Sequence, residues 1–493
     1  MPLTPLDIPA GIYRNGTDLQ SSNRWRDANL VRWTDGTMRP VGGWREKSDT
    51  AADYAIRGML SWKDNDNARR VAGGSFSSLY VWNQSGIRHD ITPAGFAPGR
   101  ESATGYTGYG AGGFGLEAYG VERLDNQTIL PATTWSMDNW GEYLVACTQD
   151  DGKIYEWQLN TAVPAAVVAN APINNSSIMV TEERFLFALG AGGNRRLVQW
   201  SDKEDNTLWT PAATNEAGDL ELQTDGEIMC GIRVRGQSLI ITTKDAHAAS
   251  YQGPPYVYGI ERVGTSCGII SQKAAANTDL GAVWMGLRSF FTYSGGTVSK
   301  MNSDVSDYVF SDINVSQQSK VFAVTNSRFG EVWWFYPSGD STECNRYVVY
   351  NFIERNWSIG SLARTSGVDS GTFRNPIWAS ADNNKIYEHE VGLGYDGQSP
   401  FAESGPIMIG TGDQVASVVQ MIPDERTAGQ VSATFKTRFY PNGEEREYGP
   451  YQMASPTSLR FTGRQLRIRV EGEVLSDWRV GINRLDIVAG GRR

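Results

Sequence analysis

The sequence predicts an all-β protein, a β-propeller of about seven blades with a C-terminal β-sandwich domain. Between residues 76 and 390, runs of aromatic and β-branched residues alternate with Gly, Asn and Asp turns, which is the pattern of successive β-hairpins. The hairpin centres are roughly 40 to 70 residues apart, a spacing that favours propeller blades over other repeat architectures. The composition agrees, since 54 glycines, 11% aromatic and 20% charged residues are typical of a turn-rich chain.

Two of the hairpins nearly duplicate each other. Residues 141–157 and 375–389 each contain a hydrophobic run, a polar turn and a Lys-Ile-Tyr-Glu return. Their Asp-Gly and Asn-Asn turns tolerate the positive φ that tight hairpins require. We expect the N-terminal segment or the strands after residue 375 to close the ring, because an open propeller leaves exposed sheet edges. Further hairpin strands are predicted at residues 78–82, 184–189, 238–243, 283–286, 290–293 and 331–336.

The chain divides into three parts. Residues 1–48 are predicted to form an arm or interface segment. Their Arg–Trp runs indicate either stacking on bases or, as we expect, packing of guanidinium groups on indole rings of the protein itself. Residues 49–400 form the propeller, interrupted near 95–130 by a Gly/Tyr-rich insertion whose residues 105–115 predict a mobile loop, either a surface insertion or a steric gate. Residues 400–405 indicate a linker to a separately folded β-sandwich over residues 405–493.

Charge is unevenly distributed along the chain. The net charge is −10, but residues 1–48 and 405–493 each carry +2, so the stretch between them carries −14. This distribution argues against a protein that reads nucleic-acid sequence, which would present a basic face. It suits a surface that must not hold DNA tightly, although an acid excess also serves solubility alone. In the C-terminal domain Arg467 and Arg469 are expected to share the polar face of one strand and to form a basic docking stripe. The wider cluster of Arg460, Arg464, Arg467 and Arg469 supports an assembly or docking role for this domain.

Signals for catalysis are scarce. The three histidines, His89, His247 and His389, are far apart and do not have metal-ligand spacing with Cys or acidic residues. The cysteines lack CxxC spacing, which favours small buried side chains over disulfides. They are Cys147, Cys230, Cys267 and Cys344.

Two short motifs favour structural interpretations. The G-x-S-x-G match at residues 264–268 lacks the strand–turn–helix context of a nucleophile elbow, so we expect a glycine-rich turn. Residues 64–67 lack the glycine and glutamate of a calcium loop and predict a polar turn. We therefore assign no catalytic, cofactor-binding or metal-binding residue and expect no enzymatic activity, although a glycosidase carboxylate pair stays open.

Several segments resemble structural proteins of tailed bacteriophages. They include the Ile-Pro-Ala-Gly block at Ile8, the Arg-Pro-Val-Gly-Gly-Trp block at Arg39, and residues 198–211, 331–337 and 477–493. The likeness spans nearly the whole chain. Within this group the architecture is similar to the tail nozzle proteins of short-tailed phages, also described as tail-tubular or packaged-DNA-stabilising proteins.

The resemblance implies a non-enzymatic virion component that forms a homo-oligomeric ring, with a hexamer expected, around the DNA exit channel. Such a ring retains packaged DNA and passes it during ejection. The implied partners are a tail adaptor protein, tail fibres or spikes, and genomic DNA close to an acidic lumen. The implied location is the phage tail, with assembly in the host cytoplasm, and no membrane span is expected.

An alternative function is a propeller-type tail protein that binds or hydrolyses glycans during host adsorption. A ring-forming nozzle would assemble and show no turnover of polysaccharide, whereas a glycan-directed protein would bind sugars as a monomer or trimer. Parallel β-helix repeats, typical of tailspikes, are absent from the sequence.

Overall fold

The computed structural model describes residues 3–108, 123–409, 415–472 and 475–490. Nearly all regular elements in these residues are antiparallel strands, and the α-helix among them is the short segment Ser306–Asp312. The predicted all-β propeller class is confirmed.

Seven four-stranded sheets follow one another along the chain, and we number them as blades 1 to 7. Blade 1 consists of Met59–Lys63, Arg69–Gly74, Leu79–Trp82 and Arg88–Asp90. Blade 2 consists of Trp135–Trp140, Tyr143–Thr148, Ile154–Trp157 and Ala166–Val167. Blade 3 consists of Ser177–Val180, Leu186–Leu189, Leu197–Trp200 and Gly218–Glu221. Blade 4 consists of Ile228–Val234, Gln237–Thr242, Ala246–Gly253 and Val257–Gly264.

The remaining three blades complete the ring. Blade 5 consists of Ala275–Thr278, Gly281–Met285, Phe290–Ser294 and Thr297–Lys300. Blade 6 consists of Phe322–Asn326, Glu331–Tyr336, Arg346–Asn351 and Asn356–Ser361. Blade 7 combines three late strands with one strand from the N-terminal arm; in sheet order they are Arg364–Val368, Ile377–Ser380, Ile386–His389 and Trp44–Glu46.

Both predicted closing elements take part in blade 7. Its outer strand, Trp44–Glu46, pairs antiparallel with Ile386–His389. The first strands of successive blades contact each other, and that of blade 7 contacts that of blade 1, which closes the circle. The expectation that these segments close the ring is therefore confirmed. The number of blades stays a prediction, which the order of seven sheets favours.

The duplicated hairpins lie in blades 2 and 7 as predicted. Cys147 pairs with Ile154, and Ala379 pairs with Ile386. The turns contain the expected positive φ, at Gly152 (66°) and Asn384 (55°), but they run over residues 148–153 and 380–385 and are longer than tight two-residue turns. Large aromatic side chains are buried in the propeller, and the fully buried tryptophans of the blades are Trp82, Trp135, Trp157, Trp284, Trp334 and Trp378. Trp33 of the arm and Trp478 of the C-terminal domain are also fully buried.

The C-terminal residues form the predicted sandwich, but strands from the N-terminus complete it. One sheet has the order Thr4–Leu6, Asn483–Ala489, Ala416–Ile422 and Thr457–Gly463. The other has the order Trp25–Asn29, Phe401–Ser404, Gln465–Gly472, Val431–Arg438 and Arg446–Gln452, with Ile407–Met408 also pairing with Gln465–Gly472.

These pairings correct two predictions about domain organisation. Residues 400–405 are not a linker, because Phe401–Ser404 is a strand between Trp25–Asn29 and Gln465–Gly472. Residues 1–48 are not a separate arm, because they supply strands to both domains and the hairpin Val31–Thr34/Thr37–Pro40. The physical reason is burial, since Trp25 and Trp33 share one apolar core with the sandwich and with blades 4 to 6.

The Gly/Tyr-rich insertion between blades 1 and 2 is partly regular. Strands Thr104–Gly108 and Arg123–Leu130 pair antiparallel, so residues 105–108 are not the loop that we predicted. Residues 109–122, which carry most of the proposed gate, lie outside the described residues. Short 3-10 segments occur at Asp18–Ser21, Ala191–Gly193, Val315–Lys320 and Ser327–Phe329.

The four cysteines are buried and free, as predicted. Within the described ranges, no helix has the length and apolar character needed to cross a membrane.

Candidate functional site: the central channel

The first strands of the blades surround a central channel with two mouths. At one mouth, which we call the insertion mouth, the first strands begin, and the insertion between blades 1 and 2 leaves the propeller there. At the other, the hairpin mouth, each first strand turns back into the second strand of its blade. The turn Gly141–Glu142 of blade 2 is an example, with Gly141 at a positive φ of 64°.

A glutamine crosses the insertion mouth. Gln272 precedes the first strand of blade 5 and accepts a 2.7 Å hydrogen bond from Thr134 Oγ1, which precedes that of blade 2. Its Nε2 donates to the Ser176 carbonyl at 3.0 Å, directly before blade 3. One side chain at the start of blade 5 thus bonds to segments of blades 2 and 3. The channel at this depth is a packed polar interior and is too narrow for a nucleic-acid duplex.

A buried charge cluster lies at the same mouth. Glu343 accepts hydrogen bonds from both terminal nitrogens of Arg57, with Nη1 at 2.7 Å, and from Lys320 Nζ at 2.9 Å. Burial raises the pKa of Glu343, but the hydrogen bonds and charges of Arg57 and Lys320 outweigh it and hold that pKa below its usual value. Burial also lowers the pKa of Lys320. Two cations and one carboxylate therefore share this site.

The base of the insertion is fastened to this cluster. The backbone of Ala103 both donates to and accepts from the Gln317 amide, at 3.1 and 3.0 Å. Ala132 N donates to Ser319 Oγ at 3.1 Å, and Lys320 Nζ donates to Ser102 Oγ at 2.9 Å. Both ends of the insertion are thus held against the 3-10 segment that leads into blade 6.

The channel interior contains a second group of titratable side chains. Asp138 of blade 2 forms a 2.7 Å ion pair with Arg233 of blade 4 and accepts a 2.8 Å hydrogen bond from Val180 N of blade 3. Burial raises the pKa of Asp138. Burial lowers the pKa of Lys273 to about 8 and raises that of Cys230 to about 12.

This interior group has limited chemical capacity. A lysine with a pKa near 8 can act as a base or nucleophile. The Lys273 amine, however, has no hydrogen-bond partner among the described side chains that would activate or orient it. Cys230 is protonated at neutral pH and does not act as a thiolate. These residues form part of the polar wall of the channel. They do not include the paired nucleophile and base of a hydrolase.

The histidines lie in three different blades. His389 of blade 7 is buried, accepts a 2.9 Å hydrogen bond from Arg364 Nε and stacks on Trp378 with ring centroids 3.9 Å apart. His247 of blade 4 lies 3.2 Å from Asp245, and His89 belongs to blade 1. Within the described parts of the chain, no group of His, Cys, Asp and Glu could hold a metal ion.

The two short motifs are turns. Residues 264–268 connect blade 4 to blade 5 with Ser266 at a φ of 54°, and the next regular element is the strand Ala275–Thr278. Asp64 lies in the first turn of blade 1, where it accepts from Ala68 N at 2.8 Å and from Arg70 at 2.9 Å.

Arg467 and Arg469 lie on the same face of the strand Gln465–Gly472, as predicted. Both are paired, Arg467 with Asp18 at 2.6 Å and Arg469 with Glu471 at 3.1 Å. Arg460 is exposed on the other sheet of the sandwich. The wider set of four arginines is therefore not one continuous cluster, because consecutive strands of a sandwich can join opposite sheets.

Some of these features could be recognised only in the structure. Arg57 is separated from its partner Glu343 by 286 residues, and no local pattern indicates their contact. Arg32, Glu331 and Glu390 likewise come together from the arm, blade 6 and the end of blade 7. The sequence predicts packing of arm guanidinium groups on indole rings, whereas in the structure Arg32 Cζ lies 3.7 Å from the ring centroid of Phe329, a phenylalanine.

Comparisons with known proteins give a likeness in fold. No protein family matches the chain, and no curated protein matches it. Solved structures that match include virginiamycin B lyase from Staphylococcus aureus, with 7% identity, 70% of this chain and 98% of that chain covered, and a TM-score of 0.44. The Cps50 (Swd1) β-propeller domain of Myceliophthora thermophila has 8% identity, coverage of 71% and 99%, and a TM-score of 0.42. The WD40 propeller domain of Doa1 has 12% identity, coverage of 70% and 96%, and a TM-score of 0.39. At these identities the likeness concerns the propeller fold and extends to neither substrate nor partner.

Proposed function

We propose that this chain is a structural component of a phage virion, a tail nozzle protein that forms a ring around the DNA exit channel. The observation that carries the proposal is the position of the segments that resemble phage structural proteins. Met38 and Val480, in the N- and C-terminal segments, exchange backbone hydrogen bonds of 3.0 and 2.9 Å. The two terminal segments therefore lie at the junction of propeller and sandwich, where their hydrogen bonds hold the two domains together.

The packed central channel of the propeller determines which path DNA could take in the proposed assembly. Because Gln272 bonds to blades 2 and 3 across the insertion mouth, DNA does not pass through a single propeller. In the proposed assembly it passes through the lumen of a ring of subunits, with six as the expected number. The −14 charge of the central stretch would limit phosphate contacts and allow the duplex to slide.

The absence of enzymatic activity is part of the proposal. Among the described residues the histidines are dispersed over three blades, and the titratable channel residues lack a nucleophile–base pair of the kind that catalysis requires. The charged clusters are engaged in ion pairs inside the protein, such as Arg57 with Glu343. This pattern is typical of groups that stabilise a scaffold.

Electron microscopy of the purified full-length chain, alone and with a tail adaptor protein, tests the proposal. We expect closed rings with a lumen wide enough for a DNA duplex, and no release of reducing sugar from host polysaccharide. Single particles that remain monomeric or trimeric and bind or cleave polysaccharide would contradict the nozzle function and favour the glycan-directed alternative.

A further inference from the structure

An open cleft of about 530 Å³ lies at the hairpin mouth, on the side opposite the insertion. Its volume is within the range of small-molecule sites. Blades 2 to 5 all contribute to it through their first strands or the turns that follow. Its polar and charged lining side chains include Asn139, Glu182, Arg184, Arg233, Arg235 and Asn277.

The cleft is positively charged within an acidic part of the chain. Arg184 and Arg235 are exposed, and neither forms an ion pair with any other described residue. Arg233 pairs with Asp138 at 2.7 Å but keeps half of its side chain accessible. Glu182 is the acidic residue of the lining. Three guanidinium groups therefore face a solvent-filled space that lacks a matching set of carboxylates.

The hydrogen-bonding groups of the cleft are mostly donors. The Nδ2 atom of Asn139 is enclosed in the cleft wall without a hydrogen-bond partner, so it lies beside the cleft and is not one of its exposed donors. Guanidinium groups donate only. Asn277 Nδ2 donates to the Arg233 carbonyl at 2.9 Å and holds that strand end in place. An acceptor-rich ligand completes this arrangement.

The position of Arg184 is set by the turn of blade 2. A Cβ atom at Gly141 would lie 3.3 Å from Arg184 Nη2, so glycine leaves room for the guanidinium. The guanidinium carbon lies 5.9 Å from the Trp140 ring centroid. The arginine is thus directed from blade 3 towards blade 2, beside the unpartnered Asn139.

We propose that this cleft is a phosphate-binding site. Exposed guanidinium groups approach from blades 3 and 4, from separate directions that suit a tetrahedral oxyanion, and guanidinium–phosphate pairs are strong and directional. A free phosphate group and a phosphate of a DNA backbone are the two sources of this chemistry. The site does not depend on the nozzle function.

Isothermal titration calorimetry with inorganic phosphate, in a chloride buffer of low ionic strength, tests the site. We expect saturable binding to the full-length protein and at least tenfold weaker binding to the Arg184→Gln/Arg235→Gln double variant. Arg460→Gln, which removes an exposed arginine from the sandwich, is the matched control and should bind like the wild type. The single variant Arg235→Gln, in a surface turn, provides the same comparison if the double variant does not fold.

Further titrations distinguish free phosphate from the phosphates of a DNA backbone and test whether the cleft is specific for phosphate. If a short DNA duplex competes with phosphate in the wild type, the backbone is a source of the ligand; if it does not compete, free phosphate is the source. Both results support the site. Equal affinity for acetate and phosphate, the lack of saturable phosphate binding, or equal binding by the double variant would each overturn it.

Discussion

At the scale of single residues, the strongest departure from an ordinary core is a buried charge cluster between the arm and the propeller. Arg32 forms paired hydrogen bonds to Glu331, at 2.8 and 3.0 Å, and also bonds to Glu390. Glu390 accepts further hydrogen bonds from Gly42 N and from Asn326. One guanidinium thus compensates two carboxylates, and Arg32 is only 4% exposed.

Replacing Arg32 should be severely destabilising. In Arg32→Met the two carboxylates lose their counter-charge in a buried site, and we expect a loss of about 3–5 kcal/mol in the free energy of unfolding. Arg32→Lys should lose part of this, because an ammonium does not form the paired bonds of a guanidinium. Urea unfolding of both variants measures this loss.

The control is Arg45→Met, since the side chain of Arg45 is 68% exposed beside Glu388. This variant should lose at most about 1 kcal/mol in the free energy of unfolding. Equal effects of Arg32→Met and Arg45→Met would contradict this role.

His389 should make stability depend on pH. Burial, and then the charge of Arg364, hold its pKa well below the usual 6.5. Below pH 6.5 the unfolded chain binds a proton at this histidine and the folded chain does not, so stability falls as the pH falls, by about 1.4 kcal/mol per pH unit at most. His389→Gln should remove this part of the slope. Unfolding of both proteins between pH 5 and 7 measures it, and parallel profiles would show that the histidine does not contribute.

At the scale of elements, local signals explain what could be predicted. Hairpins such as Tyr143–Thr148 with Ile154–Trp157 are encoded by neighbouring hydrophobic runs and a turn, so the sequence predicts them directly. The pairing of Thr4–Leu6 with Asn483–Ala489 joins segments nearly 480 residues apart. The short strand Trp44–Glu46 lacks a turn towards its partner in blade 7. Such long-range pairings follow from burial of the whole core, and a single sequence does not encode them locally.

The shared core changes what truncation of the sandwich should do. If the sandwich were separately folded, as the sequence predicts, removal of residues 405–493 would leave a soluble propeller. In the structure this deletion uncovers Trp25, Trp33 and Ala402, which pack in the sandwich core, and we now expect aggregation through the exposed apolar surface.

A second deletion provides the control for this effect. A chain that also lacks residues 1–29 and 400–404 loses the orphaned strands Trp25–Asn29 and Phe401–Ser404, so it should recover part of the solubility. Soluble yield and gel filtration of the two truncated chains measure the difference. If the chain of residues 1–404 were fully soluble and monomeric, the sandwich would not be needed to cover the apolar side chains of residues 1–48.

At the scale of the whole molecule, charge and architecture act together. The arm and the sandwich share one apolar core with blades 4 to 6, which suits a rigid building unit for the proposed ring. Its net charge of −10 means that copies repel one another at long range. In the proposed ring, contacts between subunits would have to overcome this repulsion, whereas phosphate binding at the arginine-lined cleft would gain from attraction.

These two processes should respond to salt in opposite directions. Raising the ionic strength from about 0.01 M to about 0.15 M shortens the Debye length from about 30 Å to about 8 Å. Screening should then strengthen ring assembly and weaken phosphate binding. Sedimentation velocity across a protein dilution series measures assembly, and calorimetry measures phosphate affinity under the same conditions.

The Arg184→Gln/Arg235→Gln variant is the control. It should lose the salt dependence of phosphate binding and still assemble more strongly with added salt. Assembly that weakens as salt is added would show that attraction between opposite charges holds the ring, and would contradict an acidic, mutually repelling set of subunits.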